Sequence, residues 1–193
     1  GSRAERIARA LGMEVVLNDP PLARRTGDPK YRPLEELLDC DFLTLHVPLT
    51  REGPDPTWRL INANVMGRLK HGAVVINASR FYVVDEAELI GRVKAGRLGG
   101  AVIDAWENEP SIIHAHLEAA LLGTPHIAGY SLDGKINGAR MIADAACGYM
   151  DIAEAAPRPP LPAPAVGRIE IDTAGRCDDS ILAELIVTAY PIG

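Results

Sequence analysis

Aromatic residues are scarce, at 5% of the 193 residues, with only two Phe and two Trp. A core must therefore be assembled from aliphatic side chains. Cysteine is scarcer still: Cys40, Cys147 and Cys177 stand singly and far apart. That odd, scattered set excludes a disulfide scaffold and has no metal-type spacing, so no metal site is expected; it suits buried thiols in a reducing, cytoplasmic setting. Positive charge is in deficit. Twenty Lys and Arg face 26 Asp and Glu, a net charge of −6, which argues against a general nucleic-acid binder because phosphate contacts need clustered cations. No apolar run approaches the roughly 20 residues of a membrane span, and no signal-peptide pattern opens the chain. Neither nucleic acid nor membrane is an expected partner.

What is present is an alternation of short apolar runs and helical periods. Ser2–Leu11 places Ala4, Ile7, Ala8 and Leu11 at helical spacing and closes at Gly12. Met13–Leu17 reads as a strand ending at Asn18-Asp19, and Pro20–Pro33 as a polar loop. Pro33 is placed to start a short helix over Leu34–Asp39. Phe42–Val47 is a strand, Asn62 caps a helix to Lys70, and Ala73–Ile76 is a wholly apolar strand. Asp85 and Glu88 form a capping-box-like start for Glu86–Ala95, and Gly100–Ile103 is another buried strand. This pattern predicts an α/β fold: a Rossmann-like, doubly wound parallel sheet. A helix followed by a strand ending in Asp matches the second half of a dinucleotide-binding unit, whose first strand and glycine turn are expected just before Gly1. Gly1 is either the last glycine of that turn or, with Ser2, a remnant of cloning.

After Tyr130 the character changes. Ile136–Ala155 reads as a long Ala-rich helix and residues 156–164, APRPPLPAP, as a stiff linker. Gly167–Asp172 alternates like a half-exposed strand, and Asp179–Ala189 is helical with Ile181, Leu182, Leu185 and Ile186 inward. The expected organisation is an incomplete dinucleotide-binding domain over residues 1–155, the linker over 156–164, and a partial C-terminal α+β module over 165–193.

Three segments carry chemistry: INASRFYVVDEAEL (76–89), VIDAWENEP (102–110) and PHIAGYSLDGK (125–135). Each sets one ionisable residue, Arg80, Glu109 or His126, just past an apolar run. In an open α/β sheet such positions line the ligand crevice. Taking a hydride from an alcohol requires a group to accept the hydroxyl proton. A histidine steadied by a carboxylate does this, and a guanidinium grips the carboxylate of a hydroxy acid. Separately, Arg80 reads as a surface cation, Glu109 as a carboxylate near a helix start and His126 as a loop residue. Together, beyond three successive apolar runs, they favour the chemical reading. Asp19 stays open between a ribose-binding acid and a loop or cap residue.

The segments HVPLT (46–50), INASR with VVD (76–85), GGAVIDAWENEP (99–110) and PHIAGY (125–130) resemble the D-isomer-specific 2-hydroxyacid dehydrogenases. NDPP (18–21), HIAGYSLDGK (126–135) and LPAPAVGRI (161–169) mark a narrower branch of that family. The resemblance implies Arg80 as the catalytic, carboxylate-binding arginine, Glu109 as the partner of the histidine and His126 as proton acceptor. It implies NAD as cofactor, contacted by Asp19, Val47, Ala78, Ser79, Arg80, Asp104 and Gly129. It implies Tyr130 against a small phosphorylated hydroxy-acid substrate, and a C-terminal module that pairs two subunits into a homodimer. Phe81-Tyr82 stands where the family usually has Gly-Pro, and an aromatic there is expected to crowd the carboxylate site. The chain is expected to lack the family's N-terminal substrate segment and the end of its dimerisation module, and so to bind NAD weakly as it stands. Two other functions fit the same residues: a dehydrogenase for a different 2-hydroxy acid, and a non-catalytic interaction protein on the same fold.

Overall fold

Buried aliphatic segments need partners for their backbone N–H and C=O groups, and four of them pair with one another in parallel. In the computed structural model, which describes residues 1–152, 160, 163 and 167–191, β1 (Phe42–Leu45), β2 (Val74–Asn77), β3 (Gly100–Ile103) and β4 (Leu122–Gly123) form one sheet in that order. The register sets Leu45 against Asn77, Asn77 against Ile103, and Ile103 against Gly123. The carboxyl ends of all four strands therefore stand in one row, and the loops that leave that row carry the chemistry. The expected Rossmann-like α/β fold is what forms.

The core is aliphatic, as the shortage of aromatics requires. Leu43, Leu45, Val75, Ala101 and Ile103 of the sheet are buried with Ile61, Met66, Leu69, Leu89 and Ile90. Truncating a Leu, Ile or Met among them to Ala costs about 2–5 kcal/mol. The one large aromatic inside is Trp106, 2% exposed, whose indole N–H donates to the Thr124 carbonyl at 2.9 Å. It ties the loop after β3 to the segment after β4.

The helices of the first unit follow their caps. Helix α1 covers Ser2–Ala10 and stops at Gly12, at φ 77°. Helix α2 covers Pro20–Thr26, where a loop was expected. Asp19 accepts the Leu22 N–H at 2.9 Å, proline fits the first helical positions, and Gly27 closes the helix at φ 66°. A short 3₁₀ turn spans Leu34–Leu37. Helix α3 (Ala63–Arg68) is capped by Asn62, which accepts N–H groups from Asn64 and Val65. Helix α4 (Glu86–Lys94) is capped by Asp85 through the Glu88 N–H, while Glu88 pairs with Arg92 at 2.6 Å, so only half of a capping box closes. Helix α5 is the single turn His114–Leu117.

Met13–Leu17 does not form the expected strand. Its only ladder contact is a bridge from Leu17 to Tyr31, because no described strand lies alongside to satisfy its backbone.

The chain divides into Gly1–Ala128 and Gly129–Gly193. In the second unit α6 runs from Leu132 to Met150, starting earlier than its apolar pattern because Ser131 caps it through the Gly134 N–H. It ends earlier as well, at Asp151 with φ 51°. Gly167–Asp172 forms no strand among the described residues; its alternation supplies a face but no partner ladder. Helix α7 (Asp178–Ala189) forms as expected, yet Leu185 and Ile186 are exposed rather than inward. The proline-rich stretch lies outside the described residues, apart from Pro160 and Ala163. No described helix is long and apolar enough to cross a membrane, and no cluster of metal-ligating side chains occurs among the described residues.

Candidate active site

The row of strand ends is held together by two buried polar side chains. Asn77, the last residue of β2 and 4% exposed, gives its amide N–H groups to the carbonyls of Arg80 and Ala105, at 3.1 and 3.3 Å. Its carbonyl oxygen accepts from the Ser79 N–H and hydroxyl, at 3.2 and 2.8 Å. One side chain thus shapes the Ala78–Arg80 turn and fastens it to the loop after β3. Arg80 is exposed there, and one guanidinium N–H donates to the Ser79 carbonyl at 2.7 Å. The remaining donors of its planar fork can meet an anion.

Asp104, also 4% exposed, sits one residue past β3. Its Oδ1 accepts from the Thr124 hydroxyl at 2.6 Å and the Ile127 N–H at 2.7 Å, and Oδ2 from the Ala128 N–H at 3.0 Å. A carboxylate offers about four acceptor directions, so one remains on Oδ2. The backbone role of Asp104 is to hold the loop that carries His126.

That loop is under strain. His126 adopts φ 53°, in the left-handed region that non-glycine residues avoid at a cost of about 1–3 kcal/mol. Its N–H is held by the carbonyls of Asp104 and Thr124, each at 3.0 Å. The conformation presents Nδ1 to Glu109 Oε2 at 2.7 Å, while Glu109 Oε1 accepts the Trp106 N–H, also at 2.7 Å. Both side chains are partly exposed, 36% for His126 and 24% for Glu109, so the pair faces outward from the core. A carboxylate on Nδ1 fixes the neutral tautomer with its lone pair on Nε2, where a proton can be received.

Of the three residues expected to act together, Glu109 and His126 are in direct contact. Arg80 bonds to neither and joins them through Asn77 and Ala105. Among the other expected positions, Val47 packs against the core just after β1, while Ala78 and Ser79 form the turn after β2. Asp19 caps α2. Gly129 and Tyr130 belong to the second unit, where the Tyr130 ring lies 3.6 Å from Lys135 Nζ.

Phe81-Tyr82 behaves differently from expectation. The left-handed residue is Tyr82, at φ 60°, and Phe81 is not in that region. The Tyr82 ring packs on Trp58 at 4.7 Å, its hydroxyl donates to the Asn108 side chain at 3.2 Å, and Phe81 meets its edge at 5.3 Å. The aromatics build a wall with Trp58.

A second polar cluster escaped the sequence reading. Glu86, 4% exposed, lies against His116 and Glu107, and Glu107 meets Arg59. Burial pushes the Glu107 carboxyl above its usual range. The available signal was the acid two residues before Glu109 in the same short loop.

Residues 1–128 match the D-isomer specific 2-hydroxyacid dehydrogenase family, NAD binding domain. The chain belongs to this family. The erythronate-4-phosphate dehydrogenase of Salmonella typhi is 40% identical over 194 residues, covering 100% of this chain and 51% of that protein. The chain thus spans about half the length of the curated relatives it matches. Among solved structures, a D-lactate dehydrogenase from Aquifex aeolicus complexed with NAD and lactic acid is 26% identical, with a TM-score of 0.58 over 78% of this chain and 50% of that one. A glyoxylate reductase from Paecilomyes thermophila, 24% identical, shares the fold at a TM-score of 0.65 over 78% of this chain and 46% of its own. The family resemblance read from the motifs is therefore borne out. The cofactor fits what the residues offer: strand ends in one row, a free acceptor on Asp104 and an unspent guanidinium on Arg80.

Proposed function

We propose that these residues form the NAD-binding, catalytic part of a dehydrogenase that oxidises 4-phospho-D-erythronate to 2-oxo-3-hydroxy-4-phosphobutanoate, a step of pyridoxal 5'-phosphate biosynthesis. The observation that carries the proposal is the 2.7 Å contact between His126 Nδ1 and Glu109 Oε2, beyond the carboxyl ends of a parallel sheet whose β2 leads to Arg80. NAD, when bound, supplies the hydride acceptor. Arg80 grips the substrate carboxylate in bidentate fashion, which sets the hydroxyl at C2 toward Nε2 of His126. His126 takes the hydroxyl proton as the C2–H bond breaks, and Glu109 stabilises the imidazolium that forms. Asp104 would accept from the nicotinamide amide, Asp19 would take the adenosine ribose, and the Val47, Ala78 and Ser79 backbones would line the cofactor's path.

The name of the curated relatives, which match the full length of the chain, supports the choice of substrate. Two subunits associate through the second unit, where α6 exposes Met141, Ile142 and Tyr149. A reducing, cytoplasmic setting belongs to the same proposal and suits three free cysteines. The test is a steady-state assay, at the length of the relatives, with 4-phosphoerythronate, D-lactate, D-glycerate and 3-phosphoglycerate. A kcat/KM for 4-phosphoerythronate about a hundredfold above the others is expected if the site hydrogen-bonds its distinctive groups. Preference for another acid would overturn the substrate, and no turnover of any would overturn the enzyme.

A further inference from the structure

We propose that Glu86 is a positioning residue for the Glu109–His126 pair, acting through the main chain of Glu107 to hold the Trp106–Glu109 turn against α4. The proposal rests on the reading of that pair as the proton-handling site.

Glu86 is the first residue of α4 and is 4% exposed. A carboxylate buried this far requires partners for both oxygens. Oε2 accepts the Glu107 N–H and Oε1 meets His116 Nδ1, each at 2.7 Å. Glu107 answers in kind: its Oε1 accepts the Glu86 N–H at 3.3 Å. Two acids from separate elements thus cap each other's backbones, a reciprocal clamp between the start of α4 and the loop after β3. Arg59 offsets the negative charge on the Glu107 side, with Nη1 3.0 Å from Glu107 Oε1 and 2.8 Å from Asp85 Oδ1.

The clamp sits where it can govern Glu109. The turn Trp106–Glu109 is fixed before it by the buried indole, and Asn108 within it adopts φ 63°. Tyr82 grips Asn108 from the Arg80 turn. Glu107, between these two points, is the residue Glu86 holds. A cavity is lined by Asn77 at the end of β2, by Tyr82 just after the Arg80 turn, and by Glu86 and Glu107 of the clamp, so the clamp faces the segment that carries Arg80. Without the Glu86 acceptor, the turn loses the 2.7 Å bond from the Glu107 N–H and keeps only the 3.3 Å bond from the residue-86 N–H to Glu107 Oε1, and Glu109 is freer to move from His126. Glu86 itself touches neither His126 nor Glu109.

The test measures solvent exchange of the His126 Nδ1 proton by NMR on the nitrogen-labelled 193-residue chain, so it does not depend on turnover. Glu86→Met keeps the size of the side chain and removes both acceptors; exchange should quicken about tenfold as the turn opens. Glu86→Gln keeps one acceptor for the Glu107 N–H and should stay within about twofold of wild type, a rescue that a simple loss of packing would not give. Should Glu86→Met fail to fold, His116→Gln loosens the same carboxylate and should quicken exchange about threefold. Exchange at the wild-type rate in Glu86→Met, or in His116→Gln where that variant stands in for it, overturns the clamp. Glu109→Leu separates the two levels. If it removes the protected His126 proton while Glu86→Met does not, the clamp alone is wrong; if it changes nothing, the pair reading falls and the clamp falls with it.

Discussion

His126 is held by its own backbone strain, by two carbonyls on its N–H and by one carboxylate on its ring. Such over-determination is how a sparsely populated conformation persists, and it tends to mark functional positions. At the length of the relatives, Glu109→Gln should lower kcat by about ten- to a hundredfold with KM for the hydroxy acid nearly unchanged, because the carboxylate acts on the imidazolium formed during reaction and not on the bound substrate. Steady-state kinetics check this; a raised KM at constant kcat would place Glu109 in binding instead. The cysteines make a second residue-scale prediction. Burial pushes the Cys40 thiol up, while the amide and hydroxyl of Ser180 hold the exposed Cys177 thiol down. More of Cys177 is therefore thiolate at mildly alkaline pH, and iodoacetamide should label it about tenfold faster than Cys40. Peptide mass spectrometry reads the order, and equal labelling would contradict the environments described.

At the scale of elements, β1, β2 and β3 were legible because each is a short, largely apolar run, whereas the two-residue β4 is too short to carry a pattern. Helix α2 was not legible. PPLARRT has no apolar stripe, and the helix is set by its ends, Asp19 and Gly27. Asp19 caps α2 through Oδ1, which leaves Oδ2 for a second partner. Met13–Leu17 and Gly167–Asp172 failed for a common reason: a strand pattern describes a face, whereas a strand also needs a neighbour. In the site, Arg80, Glu109 and His126 were readable because each follows an apolar run. Asn77, Glu86 and His116 were not, because their roles arise from contacts across 28 to 30 residues of sequence. A further element-scale prediction concerns the entry to β3. A Cβ on Gly99 would lie 2.2 Å from the Gly72 carbonyl oxygen. Both are backbone, so Gly99→Ala should destabilise the first unit by about 1–3 kcal/mol as the turn shifts. Thermal unfolding that matched wild type would show that the approach is looser than described.

At the scale of the whole molecule, residues 1–128 form the NAD-binding domain of the family, and α6 in the second unit carries an apolar surface. Ile142 and Tyr149 are seven residues apart on that helix, hence on one face, and are 73% and 93% exposed. If that face pairs subunits, Ile142→Glu with Tyr149→Glu should halve the mass found by light scattering at the length of the relatives, because charges buried there would lack partners. An unchanged dimer mass would move the interface elsewhere. The central claim, however, is that His126 receives the substrate proton beside a bound nicotinamide. The measurement that reaches it most directly is single-turnover stopped flow with NAD and 4-phosphoerythronate, following the absorbance of the reduced nicotinamide, for the wild-type enzyme and His126→Gln. The account predicts hydride transfer slowed by about a hundredfold or more in the variant with NAD affinity within a few-fold of wild type; an unchanged hydride-transfer rate would contradict it.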